Sequence, residues 1–229
     1  MNKMLKGLAP LLVLTFAMVS FAASAMEKEN DSSSEKRELT SRDVFTKINP
    51  QALELLPVSI RLDMLDYWDV DSVYKASNVM RGLSWLENVT PDYLKVRVTS
   101  ASLFEIKILP GKKGDIVLTV YTVGNSPQAE DSQINFYDAD LNPLDASKHF
   151  DMPDLKDFFE IPKGSLTSMK EIRQMIPFPT VAYSVSPENN DLIARLTVEE
   201  FINADDWNII KLFLKPTIKA EWKKEKYKF

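Results

Sequence analysis

Near Gly82 the apolar residues of this chain change their spacing, from the 3.6-residue repeat of helices to the two-residue repeat of strands. Before that point Val44, Phe45 and Ile48 stand at i, i+1 and i+4. Ser41 is placed to cap this helix, with Asp43 in its first turn. Asn49-Pro50 ends it, because the residue before proline is pushed out of the α region. A turn from Ala52 to Leu56 stops at Pro57, and a longer helix is predicted from about Val58 to Trp68. In that helix Ile60, Leu62, Met64, Leu65 and Trp68 are expected to face inward, with Arg61, Asp63 and Asp66 outward.

After Gly82 the segments 93–98, 104–108 and 133–137 alternate polar with apolar, and Ile116–Val123 is a longer strand after the turn Pro110–Asp115. Two short helices are predicted at Asp154–Phe159 and Ser168–Met175, then strands at Val181–Val185 and Leu192–Thr197. A helix from about Asp205 to Leu214, capped by Asp205 or Asp206, has a strand over 209–213 as its alternative. Ile218, Ala220 and Trp222 read as a last strand. Consecutive strands with short turns make an antiparallel meander, so the predicted class is α+β, with N-terminal and central helices packed on one face of the sheet.

The first 25 residues stand outside that fold. Lys3 and Lys6 precede an apolar run that closes on Ala22-Ala23-Ser24-Ala25, the pattern of a signal peptide. Pro10 within the run and the polar Met26-Glu27-Lys28-Glu29 after it favour cleavage near Ala25 over a membrane anchor. Residues 26–38 read as a solvated tether and 39–229 as one α+β domain, favoured over two lobes at 39–150 and 151–229. No later segment is apolar enough to span a bilayer, so the expected mature protein is soluble, in the periplasm or secreted.

The chain has no cysteine. Disulfides, thiolate nucleophiles, Cys-ligated metals and a lipid anchor on cysteine are therefore excluded, and stability must come from a packed core. After cleavage 26 bases (28 less Lys3 and Lys6) face 33 acids, a net charge of −7. Without a basic stripe nucleic acid is not an expected partner. Six glycines and the absence of a phosphate-binding loop speak against a nucleotide fold, and no cofactor is expected.

The residues able to carry chemistry are few. His149, the sole histidine, lacks a glycine-flanked serine to serve and reads as an exposed loop residue; a histidine metal cluster is excluded by count. Asp138, Asp140 and Asn142 match the first ligands of a calcium loop, but Pro143 and His149 stand where glycine and glutamate are needed, so a turn is favoured. Asp63 and Asp66, with Asp69 and Asp71 close behind, form the densest run of acids. On one helix face they are poorly placed for glycosidase chemistry, and Arg61 is expected to make a surface ion pair with them. Lys219, Lys223, Lys224, Lys226 and Lys228, interleaved with Trp222, Tyr227 and Phe229, could meet an anionic surface; protection of a sheet edge is the favoured role. Asp63, Asp66, Trp222 and Lys224 are the candidate binding residues, and no residue is assigned to catalysis or to a metal.

Three passages, Asn49–Pro57 with Ser59–Trp68, Asp92–Leu94 through Glu105–Pro110, and Asp131–Asp138, together resemble a secreted family of unknown function from Bacteroidales-type gut bacteria. The resemblance covers most of residues 40–229. It implies a Gram-negative envelope setting and brings no activity. The leading expectation is a non-catalytic module for a protein or glycan partner. The alternative is a carboxylate-based hydrolase acting on polysaccharide or peptidoglycan. A third is an assembly or chaperone-like role through an apolar patch or free strand edge. The leader makes a direct prediction: material isolated from the native envelope begins at Met26, and N-terminal sequencing that starts at Met1 contradicts it.

Overall fold

The computed structural model describes residues 38–48, 50–70 and 74–229. The leader, the tether through residue 37, Asn49 and Asp71 lie outside the described residues. The first helix, α1 (Ser41–Lys47), is capped by Thr40 rather than Ser41. Thr40 Oγ1 accepts from the Asp43 N–H, and the Asp43 carboxylate accepts from the Thr40 N–H, both at 3.2 Å, a reciprocal capping box. Ser41 instead sits inside the helix and is buried; its hydroxyl donates to Thr90 O. A 3-10 turn, Gln51–Leu53, leads to α2 (Val58–Asp69), which starts after Pro57.

The inward stripe of α2 differs from the expected one. Arg61, Met64 and Leu65 are buried, and Leu62 is exposed. Arg61 thus occupies an apolar position of the stripe and makes no surface ion pair. One of its terminal nitrogens donates to Phe45 O at 2.6 Å and to Ile48 O at 2.7 Å, the carbonyls left open at the end of α1. The guanidinium therefore clamps α2 to the C-terminus of α1, where the helix dipole also favours a cation.

A meander follows: β1 (Ala76–Ser77), β2 (Leu83–Val89), β3 (Tyr93–Thr99), β4 (Ser102–Leu109), β5 (Ile116–Val123), β6 (Asp131–Tyr137) and β7 (Pro143–Leu144). Among the described residues these form one seven-stranded sheet in sequence order, with every neighbour antiparallel. The two-residue strands at its edges are too short to mark themselves in the sequence, and in β2 the bulge between Leu86 and Asn88 breaks the alternation of its apolar residues. Then come α3 (Ala146–His149), α4 (Met169–Met175), β8 (Val181–Val185), β9 (Leu192–Leu196), α5 (Ala204–Ile210) and β10 (Ile218–Ala220). β8, β9 and β10 make a second antiparallel sheet in the order β10-β9-β8. Asp154–Phe159 holds a 3-10 turn, and Asn203 caps α5 in place of the expected aspartates. α5 stops at Ile210; Leu214 meets Phe159 in a single bridge, not a strand.

The α+β class and the antiparallel meander are as predicted, but the helices divide between the two faces of the sheet. Val44, Phe45 and Ile48 of the α1 region and Met64 and Leu65 of α2 pack against Leu94, Val96, Phe104 and Ile106. Ile172 of α4 and Ile210 of α5 join Leu118, Val120 and Phe136 on the other side, with Tyr183, Leu192 and Ala194 of the second sheet. The central helix thus lies opposite the N-terminal pair. Among the described residues no helix is long and apolar enough to cross a membrane.

The Arg61 clamp is testable. Arg61→Met keeps the volume and removes both hydrogen bonds, leaving two buried carbonyls without their charged donor. A loss of about 3 kcal/mol is expected in urea unfolding. Arg61→Lys, a point charge without the fork, should recover part of it. An unchanged midpoint in Arg61→Met contradicts the clamp.

Candidate functional site

The four residues selected from the sequence do not meet. Asp63 and Asp66 are exposed on α2, on the side of the sheet covered by the N-terminal helices, while Trp222 and Lys224 lie with the C-terminal layer on the other side. Of the neighbouring acids Asp69 is engaged, pairing with Arg42. Trp222 is half-buried and donates through Nε1 to Pro110 O at 2.9 Å. Lys224 is exposed in the tight turn Lys223–Lys226, where it and Glu225 adopt φ of 53° and 63°. Around that turn a shallow hollow of ≈ 610 Å³ is lined by Lys219, Glu221 and the terminal lysines. Most of these charges are already paired: Lys219 with Asp191 at 3.0 Å, Lys223 with Glu221 at 2.7 Å, and Lys226 and Lys228 with Asp151.

His149 is not the loose loop residue expected. Its ring packs against Phe136 and Trp222, which also stack on each other, and Nδ1 lies 2.9 Å from Glu225 O, which ties α3 to the C-terminal turn. Asp138 serves as a turn residue. Its carboxylate accepts from the Asn142 side-chain amide and, through Oδ1, from the N–H groups of Asn142 and Asp140, and these bonds hold its carboxyl below its usual range.

A different cluster has the character of a site. On β4, Glu105 and Lys107 alternate with apolar residues as half-exposed strand residues would, yet each is only 1% exposed. The second sheet and its β8–β9 hairpin cover this face. Tyr93 and Lys95, from β3, stand opposite Lys107 and Glu105 in the register. A bulge between Leu86 and Asn88 gives Glu87 an extra position on β2, and Glu87 pairs with Lys95 at 3.5 Å and with Arg97 at 2.9 Å. Lys107 reaches Asp92 at 2.7 Å and Pro187 O at 3.3 Å, so it ties the hairpin turn to the meander. Burial pushes the Asp92 carboxyl up, but the hydrogen bonds from Lys107 and Thr90 outweigh it and hold the group below its usual range. Between meander and hairpin lies a cleft of ≈ 530 Å³, lined by Glu87, Tyr93, Lys95 and Glu105 below and by Ser184–Glu188 and Ile193 above.

Glu105 is the unusual member. Its Oε1 accepts a 2.6 Å hydrogen bond from the Tyr93 hydroxyl. Its Oε2 is buried and has no hydrogen-bond partner among the described residues. Desolvation raises the carboxyl from an ordinary value of 4.5 to about 7. The Tyr93 hydroxyl, Lys95 and the backbone N–H of Val185 pull it down, and Glu87 pushes it up; burial prevails. Burial and the neighbouring Glu105 charge also raise Tyr93, so its hydroxyl stays protonated and acts as donor. Among the described residues no three acids or histidine group to hold a metal. The sequence did carry a signal for this site. Ile116–Val123 is apolar at nearly every position, the mark of a strand covered on both faces, and polar residues on its neighbour β4 must then be buried.

A family model described as a protein of unknown function, DUF3256, matches residues 35–227. The chain belongs to this family. The resemblance drawn from the three sequence passages therefore holds at the level of a family without assigned activity. The DUF3256 chain is also similar to a solved domain of an uncharacterized protein from Porphyromonas gingivalis W83, at 20% identity and a TM-score of 0.68. The likeness covers 82% of this chain and 96% of that one, and it shows a shared fold. No curated protein matches.

The Glu105 environment fixes a pH signature. Because the folded carboxyl titrates near 7 and the unfolded one near 4.5, the native state holds the extra proton between those values. Stability contributed by the protonated form is fully present below 4.5, falls as pH rises, and levels off above 7, a change of roughly 3 kcal/mol. Glu105→Gln should unfold at a midpoint that lacks this decline. Parallel pH profiles for wild type and variant in urea melts contradict it.

Proposed function

We propose that this protein is an exported, non-catalytic binding module of the cell envelope, and that its protein or glycan ligand docks in the cleft between the meander and the β8–β9 hairpin. One observation carries the reading: a buried carboxylate oxygen, on a residue lining an open cleft, has no hydrogen-bond partner among the described residues. An unsatisfied buried acceptor costs about 1–3 kcal/mol, and a perturbed carboxyl in a cleft marks a candidate site. A ligand that donates to Glu105 supplies the missing bond. The leader supports the envelope setting, since a chain carrying it is addressed for export.

Arrays of envelope-derived peptides and glycans, followed by NMR of the purified exported form, test this reading. Shifts should localise to Tyr93, Lys95, Ser184 and Glu188. Ser184→Trp, which fills the cleft from the hairpin side, should abolish them and leave the rest of the spectrum in place. Ligand binding that survives Ser184→Trp contradicts the assignment.

A second reading has its own observation. Glu87 and Glu105 line the same cleft on the strands flanking β3, about 10 Å apart at the backbone by strand spacing. One carboxyl is raised by burial and the other is ion-paired, the kind of contrast that separates acid from base in carboxylate hydrolases. Asp63 and Asp66 take no part in it. Against this reading, both acids rise from one sheet face with Lys95 between them, not from opposite walls. Reducing ends released from peptidoglycan or polysaccharide by wild type, and lost in both Glu105→Gln and Glu87→Gln, would establish hydrolysis and displace the binding module.

A further inference from the structure

We infer that the Glu105 cleft receives an alkylammonium group, and that its occupant is a lysine side chain presented by a protein partner. This deepens the binding reading and rests on it. The first argument is hydrogen bonding. In its ionised form Glu105 can only accept at the free Oε2, so the ligand that meets this form must donate.

The second argument is charge. Glu87 on β2, Glu105 on β4 and Glu188 on the hairpin line the cleft against a single lining cation, Lys95 of β3. Lys95 and Arg97 are both engaged by Glu87, and Lys107 is engaged by Asp92 and Pro187 O. Glu87 is used up by the same pairing, which leaves ionised Glu105 and Glu188 as the lining charges without an ion-pair partner among the described residues, so a cation is favoured and an anion is repelled.

The third argument separates ammonium from guanidinium. An arginine binds a carboxylate best through two parallel hydrogen bonds, one to each oxygen. Tyr93 already occupies Oε1 at 2.6 Å, so that fork has one tine without a seat. A compact ammonium needs only the single free oxygen, and its remaining donors can turn toward the Ser184 and Ser186 hydroxyls or toward solvent at the mouth. The fourth argument is the wall. Val185 and Ile193 line the cleft beside Glu105, an apolar sleeve suited to the four methylenes of lysine and poorly suited to the hydroxyls of an amino sugar. At ≈ 530 Å³ the cleft holds one such side chain with its flanking backbone.

Binding of a cation requires Glu105 ionised, so below neutrality the ligand must displace its proton. With the carboxyl titrating at about 7, affinity should be about tenfold weaker at pH 6 than at pH 8.

The test is NMR and calorimetric titration of the full exported chain with N-acetyl-lysine methylamide. Controls are the norleucine, arginine and ε-acetyl-lysine analogues, and glucosamine. Saturable binding of the lysine amide is expected, with shifts at Tyr93, Lys95 and Ser184, a tenfold gain from pH 6 to 8, and at least tenfold weaker binding of the uncharged and arginine analogues. Glu105→Gln should abolish both the binding and its pH dependence while keeping a folded spectrum. Equal binding of norleucine, or binding undiminished in Glu105→Gln, overturns the proposal. Tighter binding of glucosamine than of the lysine amide transfers the site to an amino sugar and overturns the lysine assignment. If an uncharged peptide or glycan perturbs the cleft and the lysine amide does not, the ammonium inference fails and the binding cleft stands. If no ligand of any class perturbs it, both fail.

Discussion

Burial of both faces of one strand pair, β4 with β5, is the constraint on which the rest of this structure depends. Eight residue pairs run along that ladder, from Ser102 against Val123 to Leu109 against Ile116. Phe104, Ile106 and Val117 point to the N-terminal helices, and Leu109, Leu118 and Val120 to the C-terminal layer. Two apolar clusters therefore share a two-strand wall. A cysteine-free chain has no covalent staple, so each layer must supply its own apolar area against this wall. The N-terminal layer completes its fit with a buried cation: Arg61 satisfies the open carbonyls of α1 and in doing so fixes the angle at which α2 meets it.

The site follows from the same constraint. A sheet face that is covered at β5 and β6 and rises toward solvent at β2 and β3 has a boundary where apolar packing gives way to charge. Glu105 stands at that boundary. It is far enough inside to lose its water and close enough to the edge to line a cleft. The β8–β9 hairpin makes the roof, held down by Lys107 on Pro187 O and by the Tyr227 hydroxyl on Asn190 O. The bulge in β2 adds Glu87, which pairs with Lys95 and Arg97. The carboxyl keeps the Tyr93 phenol on Oε1, and its Oε2 has no hydrogen-bond partner among the described residues. That asymmetry distinguishes it from the many ion pairs on the surface, whose energetic worth is small.

Much of this was legible in the sequence. The period change near Gly82, the strands at 93–98, 104–108, 116–123 and 133–137, and the helix starting at Pro57 all reflect local rules that the tertiary structure obeys. The failures share a physical cause: a residue's burial is decided by what packs on it from far along the chain. Arg61 was read as solvated because arginine usually is, although its position at i with Met64 and Leu65 at i+3 and i+4 places it on the buried stripe. The alternation at 104–108 does not tell a wet face from a covered one, and Glu105 and Lys107 are covered only by the C-terminal layer, some 80 residues later. His149 was read as a loop residue because its stacking partners, Phe136 and Trp222, come from a strand and from the chain's end. Local density of charge and aromatic character, which marks Asp63, Asp66, Trp222 and Lys224 in the sequence, is a property of surface. A functional carboxyl in a covered sheet face has no local signature beyond the apolar neighbour strand that implies the cover.

The most direct measurement of the central claim is a carbon-13 titration of the Glu105 carboxyl in the free protein. The account predicts a midpoint about 7, with Tyr93→Phe moving it further upward as the phenolic donor is lost. A midpoint near 4.5 would mean a hydrated or fully partnered carboxylate, and the cleft would then have no unsatisfied group at its floor.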